Sequence, residues 1–269
     1  MDRALLVGPS PIAVAAGEGG VFVIDDEERS LRRFDASPLR RKGGPIRLPG
    51  RPVDVAVGAG SVWVAVSGPA VLVRVDAATG RETGRVKLSG SPSAVDVGRG
   101  MVWVAISLRS LLDRVNPRTN ALAGRPLTLP FSPSVLSARD LALWVGSDVP
   151  PQRRARVDTQ TGDLRRDFRP PRDPVAVAAG DDGAAWFAQG EEVPFGRVPV
   201  EGDYLDLDAD SEGDGSLDVA VGPRGAVYVL LDTYTDNDTG NEGSRTVSFR
   251  PLVRVDPPHG RCHRQGARR

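Results

Sequence analysis

Apolar and polar positions alternate along this chain in short runs, and the runs recur. An apolar run with an aromatic second residue is found six times: VFVI around Phe22, VWVA around Trp63 and Trp103, LWVG around Trp144, AWFA around Trp186 and VYVL around Tyr228. Successive aromatics are 41, 40, 41, 42 and 42 residues apart. Each is preceded by a run of the form P-x-x-V-x-V-G: PIAVAAG from Pro11, PVDVAVG from Pro52, PSAVDVG from Pro92, PSVLSAR from Pro133, PVAVAAG from Pro174 and SLDVAVG from Ser216. Alternation over this length reads as strand, and proline is tolerated at a strand's first residue. A third run carries an arginine column of Arg33, Arg74, Arg114, Arg156, Arg197 and Arg254. Asp35, Asp76, Asp158 and Asp256 close four of these runs, and D-x-x-x-G follows at 76–80, 158–162 and 256–260. Aspartate bonds the turn backbone while glycine takes positive φ, so the motif predicts a hairpin into a fourth, irregular strand.

Four strands per unit with this period predict an all-β fold, a six-bladed β-propeller of four-stranded antiparallel blades. It is read as a single domain over 1–269 with a basic tail from about 261 to 269. The last unit lacks a good fourth strand, because RCHRQGARR makes a poor one. ALLVG precedes Pro11 at the place where other units put theirs, so residues 3–8 are predicted to close the ring and remove an exposed sheet edge. The aromatic column is expected in the core, where blades pack face to face. The arginine column is expected as a structural pairing or a solvated stripe.

Composition narrows the partners. Basic and acidic residues balance at 35 each, which argues against nucleic acid or an anionic membrane as an obligatory partner. Arginine outnumbers lysine 33 to 2, a bias expected of a GC-rich bacterial genome. A single cysteine, Cys262, excludes an internal disulfide. No apolar run reaches the roughly 18 residues of a membrane span. The start, MDRALLVGPSP, has too short an apolar stretch for a signal peptide. The compartment stays open, and would be outside the cytoplasm if the chain belongs to a longer exported protein.

The stretches PVDVAVGAGSVWVA and VLVRVDAATGR resemble the repeats of bacterial YVTN/YncE-type propellers and of the related streptogramin lyase-like and NHL-like families. The resemblance covers nearly the whole chain and implies architecture. Members include binding and sensor domains, and a few are enzymes. Streptogramin lyases are similar but seven-bladed, and use a histidine with magnesium. Here His259 and His263 lie beyond the last repeat strand, so no general base carries over. Lactonase-like six-bladed propellers hold a divalent metal near the axis with acidic and asparagine side chains. Asp54 and Asp218 share one repeat position and Asp96 lies two residues further on, which makes these three candidate ligands of a hard cation, or carboxylates solvated by channel water. No nucleophile elbow, zinc motif or phosphate loop is present.

The sixth unit breaks the period, with 57 residues from Arg197 to Arg254. The excess falls at 232–249, DTYTDNDTGNEGSRTVSF, between the second and third strands, and departures from a repeat map to loops on one face. Acidic residues gather there. Asp232, Asp236, Asp238 and Glu242 lie in the insertion, Asp210, Glu212 and Asp214 before the unit, Glu191 and Glu192 in the fifth unit. Asp25, Asp26, Glu27 and Glu28 lie in the first, which adjoins the sixth in a closed ring. The matching loops of the second to fourth units carry Arg109, Arg153 and Arg154. An acidic crescent is therefore expected to bind an unidentified protein or peptide ligand of cationic character. DLDADSEGDG and DNDTGNEG miss the EF-hand pattern, lacking the glutamate at position 12, with Ser211 where the first run needs glycine. No cofactor is assigned; low-affinity calcium at a looser site is the alternative. The expected function is a non-catalytic binding, interaction or sensor module. A metal-dependent lactonase- or streptogramin lyase-like enzyme is the other reading.

Overall fold

A computed structural model describes residues 5–139, 142–147, 153–158, 163–168, 174–179, 185–189, 195–198, 205–207, 216–221, 227–231, 234–238, 245–249 and 251–255. Among these residues the chain is nearly all antiparallel sheet, in six sheets of four or five strands and a separate two-stranded one. The P-x-x-V-x-V-G runs form one edge of each sheet: Pro11–Gly17, Pro52–Gly58, Ala94–Gly98, Val135–Arg139, Pro174–Ala179 and Ser216–Val221. Next come the aromatic strands Gly20–Asp25, Ser61–Val66, Met101–Ile106, Ala142–Ser147, Ala185–Gln189 and Val227–Leu231. The arginine strands follow at Ser30–Ala36, Val71–Asp76, Leu111–Asn116, Arg153–Val157, Phe195–Val198 and Pro251–Val255. Leu39–Arg41, Glu82–Lys87, Ala121–Leu122, Leu164–Phe168 and Leu205–Leu207 are the opposite, outer edges, with Ile46–Arg47 and Leu127–Thr128 as second short pieces in the first and third sheets.

In the sixth sheet the fourth place belongs to Leu5–Leu6, antiparallel to Pro251–Val255, with Leu5 opposite Leu252 and Leu6 opposite Pro251. Each inner strand lies beside the inner strand of the next sheet, and Pro11–Gly17 adjoins both Pro52–Gly58 and Ser216–Val221. This is the layout of a β-propeller. Among the described residues no helix is long and apolar enough to cross a membrane.

Two-residue turns join inner and aromatic strands. Their central residues, Glu18 and Gly19, Ala59 and Gly60, Arg99 and Gly100, all have positive φ between 49° and 76°, which suits the twist of a tight hairpin. The glycines closing the first three inner strands have a different task. A Cβ on Gly58 would stand 2.7 Å from Val97 Cγ1, and one on Gly98 would stand 2.5 Å from the Ala138 carbonyl carbon. Neighbouring sheets approach too closely there for any side chain.

Phe22, Trp63 and Trp103 are buried at 2%, 0% and 1% exposure. Trp63 packs among Val95, Val102 and Val104 of the following sheet, and Trp103 among Leu136, Leu143 and Val145 of the one after. Their indole N–H groups donate to Gly58 O at 3.2 Å and Gly98 O at 3.1 Å. At about 25 cal/mol per Å² over roughly 200 Å², each tryptophan stabilises by roughly 5 kcal/mol as an upper bound.

The 232–249 insertion, expected as a loop, contains a hairpin. Tyr234–Asp238 pairs with Arg245–Phe249, from Tyr234 opposite Phe249 to Asp238 opposite Arg245. Tyrosine, threonine, valine and phenylalanine favour strand at these positions, and Gly240 and Gly243 lie between the two strands.

Candidate functional site: channel carboxylates and the loop face

Asp54 and Asp96, the candidate metal ligands, sit on inner strands opposite Ala65 and Trp103. Asp54 Oδ1 accepts the Val55 N–H at 2.8 Å, and its Oδ2 accepts the Val95 N–H of the next sheet at 2.7 Å. Asp96 repeats this with Val97 at 2.7 Å and Ala138 of the next sheet at 2.6 Å. An inner strand has sheet partners on one side only, so half of its N–H groups face the neighbouring strand without a ladder partner. The two carboxylates satisfy four such groups and fasten sheet to sheet. A hydrogen bond to a charged acceptor contributes about 1.5–3 kcal/mol. Among the described residues no group of three or more His, Cys, Asp or Glu is placed to hold a metal ion. Asp218 stands opposite Leu230 at the Asp54 position of the repeat; its side chain, His259 and His263 lie outside the described residues.

The arginine column is a second fastening. Each arginine lies directly across the strand pair from the aromatic of its unit: Arg33 from Phe22, Arg74 from Trp63, Arg114 from Trp103, Arg156 from Trp144, Arg197 from Trp186 and Arg254 from Tyr228. The Arg74 guanidinium lies 4.9 Å from the Trp63 ring centroid, within cation–π range. It donates through Nε to Ser61 Oγ at 2.9 Å and through Nη1 to Pro117 O of the next sheet at 2.8 Å. Arg33 likewise reaches Ala78 O at 3.0 Å. The receiving turn at 76–80 is built as its motif predicts. Asp76 Oδ1 accepts from the Thr79 N–H and hydroxyl at 2.7 Å each, and Gly80 has φ 74°. The Thr79 hydroxyl, then its N–H, hold the Asp76 carboxyl below its ordinary pKa.

The loop face departs from expectation in the first sheet. Asp25 is fully buried and does not belong to an exposed crescent. It ends a strand facing the segment that leads into Pro11, accepting the Ser10 N–H and the Glu28 N–H at 2.8 Å each. Glu28 is paired with Arg32 and accepts from the Ser30 hydroxyl at 3.3 Å. Asp26 is paired with Arg51 at 2.9 Å. Sequence reasoning missed Asp113, also fully buried, which accepts from Ser89 N–H and Ser89 Oγ at 2.8 Å each and ties down the lead-in to the third sheet. Its signal was a charge at a repeat position where the second unit has Val73. Asp236 and Asp238 lie on the hairpin, opposite Val247 and Arg245. Asp232, Glu242, Asp214, Glu212, Glu191 and Glu192 lie outside the described residues.

Solved structures share this architecture. A streptogramin B lyase is 15% identical, with 94% of this chain and 97% of that chain covered and a TM-score of 0.62. Virginiamycin B lyase from Staphylococcus aureus is 17% identical over 92% of this chain and 87% of that one, with a TM-score of 0.65. Kuenenia stuttgartiensis hydrazine synthase is 16% identical over 83% and 77%, with a TM-score of 0.61. Identities this low establish the fold, a streptogramin lyase-like propeller, and nothing finer. No protein-family model matches the chain, and no curated protein matches it in sequence.

Proposed function

We propose that the chain is one six-bladed propeller, sealed where Leu5–Leu6 joins Pro251–Val255, and that it is a binding module for a cationic peptide or protein segment. The observation that carries this reading is the hairpin. The first three sheets join their aromatic and arginine strands by four-residue turns, at 26–29, 67–70 and 107–110, whereas the sixth places Tyr234–Asp238 and Arg245–Phe249 in that gap. An ordered insertion at one loop of a repeat alters one face and leaves the scaffold intact. Asp232, Asp236, Asp238 and Glu242 give it an acidic character suited to a cationic segment.

The test is a titration with a synthetic arginine-rich peptide, comparing wild type with a variant carrying Asp232→Asn, Asp236→Asn, Asp238→Asn and Glu242→Gln. Wild-type binding should weaken as the Debye length falls from about 10 Å at 0.1 M salt to about 3 Å at 1 M. The variant should lose most of the binding and the salt dependence. Equal binding by both proteins places the surface elsewhere.

Likeness to lyases over nearly the whole chain supports a second reading, a metal-dependent lyase-like enzyme. Its mark would be a stoichiometric divalent ion together with turnover of a streptogramin B. In that event the channel carboxylates, Asp218 first, become the residues to substitute.

A further inference from the structure

We propose that the outer edges of the first three blades form a docking strip for a linear acidic polysaccharide. The strip is separate from the hairpin face. It comprises Arg40, Arg41, Lys42 and Arg47 in the first blade, Arg81, Arg85 and Lys87 in the second, and Arg118 and Arg125 in the third, all exposed. Within 37–47, 78–87 and 118–128 the single acidic residue is Glu82.

Part of this charge is already balanced. Arg40 and Lys42 share Asp35, and Arg85 pairs with Glu82, yet the three cationic side chains remain 72%, 50% and 49% exposed. Arg47, Arg81, Lys87, Arg118 and Arg125 form no ion pair among the described residues. Charged outer strands guard against edge-to-edge aggregation, but that purpose is met by either sign. The fifth sheet's outer strand, Leu205–Leu207, carries Asp206 instead. An excess of one sign over three consecutive blades, with Glu82 the exception, is more than the guard requires.

The arrangement selects the ligand class. Arg85 and Lys87 are two residues apart on the edge strand Glu82–Lys87, so they share a side at roughly 6.6–6.8 Å spacing; Arg40 lies on Leu39–Arg41, with Lys42 just past its end. The first sheet adds Arg40 and Arg47 on its outer strands, and the third adds Arg118 and Arg125 on either side of Ala121–Leu122, so cations recur along the three outer edges. Because the inner strands are the neighbouring edges, the outer edges fan apart and the line is convex. A planar lipid surface meets a convex line at one blade, whereas a flexible polymer follows it. Single-stranded nucleic acid is held by stacking on aromatic side chains as well as by charge. The large exposed apolar residues among the described ones are Leu6, Leu108 and Leu122, none of them aromatic. A peptide anchors by burying a few large side chains, for which a row of exposed cations offers no place. Sulfate or carboxylate groups at intervals need only the arginine forks.

The probe is heparin, with polyglutamate and oligo(dT) of similar length as competitors, on the full chain. Wild type should be retained on immobilised heparin at about 0.1 M salt, with log K falling linearly against log salt. Replacing Arg47, Arg81, Lys87, Arg118 and Arg125 by glutamine should weaken binding about tenfold or more and flatten that slope. The pair Arg118→Gln and Arg125→Gln alone should give an intermediate loss, which serves if the fivefold variant is unstable. The hairpin variant with four acids replaced should bind heparin as wild type does, so failure here and failure of the peptide reading are distinguishable. Absence of wild-type retention, unchanged retention of both arginine variants, or tighter binding to oligo(dT) or polyglutamate than to heparin would overturn the proposal.

Discussion

The inner and outer edges of a blade present the same chemical problem, a row of backbone groups without ladder partners, and the two regions answer it differently. At the inner edge another strand lies alongside, too near for a side chain on Gly58 or Gly98. Asp54 and Asp96 fill the remaining gap with paired hydrogen bonds to Val95 and Ala138. At the outer edge no strand lies alongside among the described residues, and exposed arginines and lysines stand among short strands. Charge at the inner edge is therefore a fastening, and charge at the outer edge stands in solvent, part of it paired within its own sheet. The residue type alone does not say which; the distance to the next strand does.

That contrast can be broken in graded steps. Trp103→Ala, which removes the side chain filling the space between sheets, should cost about 3–5 kcal/mol, read from chemical denaturation. A loss below about 0.5 kcal/mol would contradict the core role of the aromatic column. Asp96→Ala should come next, at about 1.5–3 kcal/mol, because it leaves the Val97 and Ala138 N–H groups without their acceptor. If the loss matches that of an exposed substitution, the carboxylate is not a fastening. Removing residues 1–10 deletes Leu5–Leu6 and the Ser10 contact to Asp25. It should lower the melting temperature by several degrees and promote association through the bared Pro251–Val255 edge. An unchanged melting temperature in a monomer would refute closure by this strand.

The outer edge should respond weakly. Arg85→Gln should leave the denaturation midpoint where wild type has it, as expected for an exposed, solvent-screened ion pair. The turn at Asp76 gives the most specific signal. Its folded pKa is lowered, first by the Thr79 hydroxyl, so its contribution is present above the unfolded value of 3.8 and fades as pH falls through the lower folded value. The melting temperatures of wild type and Asp76→Asn should differ near neutral pH and converge in acid. A gap that does not change with pH would remove the carboxylate from the turn's stability.

Much of the strand order was legible because the period of alternation and the hairpin turns are local properties. Pro11, Pro52 and Pro174 open strands where the repeat puts them, and Asp76 bonds Thr79 as its motif suggests. What the sequence leaves open is decided by contacts remote in sequence. Asp25 reads as one of four consecutive acids, yet it closes a strand against Ser10, and only the packing of the lead-in segment reveals this. Asp54 and Asp96 read as an axial carboxylate set because their acceptor groups are engaged some 41 and 42 residues away. The hairpin at 234–249 was obscured by Asp236, Asn237 and Asp238, poor strand formers whose pairing partners Arg245, Thr246 and Val247 lie beyond two glycines.

The carboxylate fastening between inner strands also has a geometry independent of residue number. Asp54 occupies the third place of its inner-strand motif and reaches the fourth place of the next; Asp96 occupies the fifth and reaches the sixth. The offset is one residue in both cases. The facing strand thus works as a rail with evenly spaced sockets, and the carboxylate is a peg that fits at alternate positions along it. For anyone assembling new rings from such units, the quantity to preserve between adjacent units is this one-step offset, and the peg's place along the rail is a free choice.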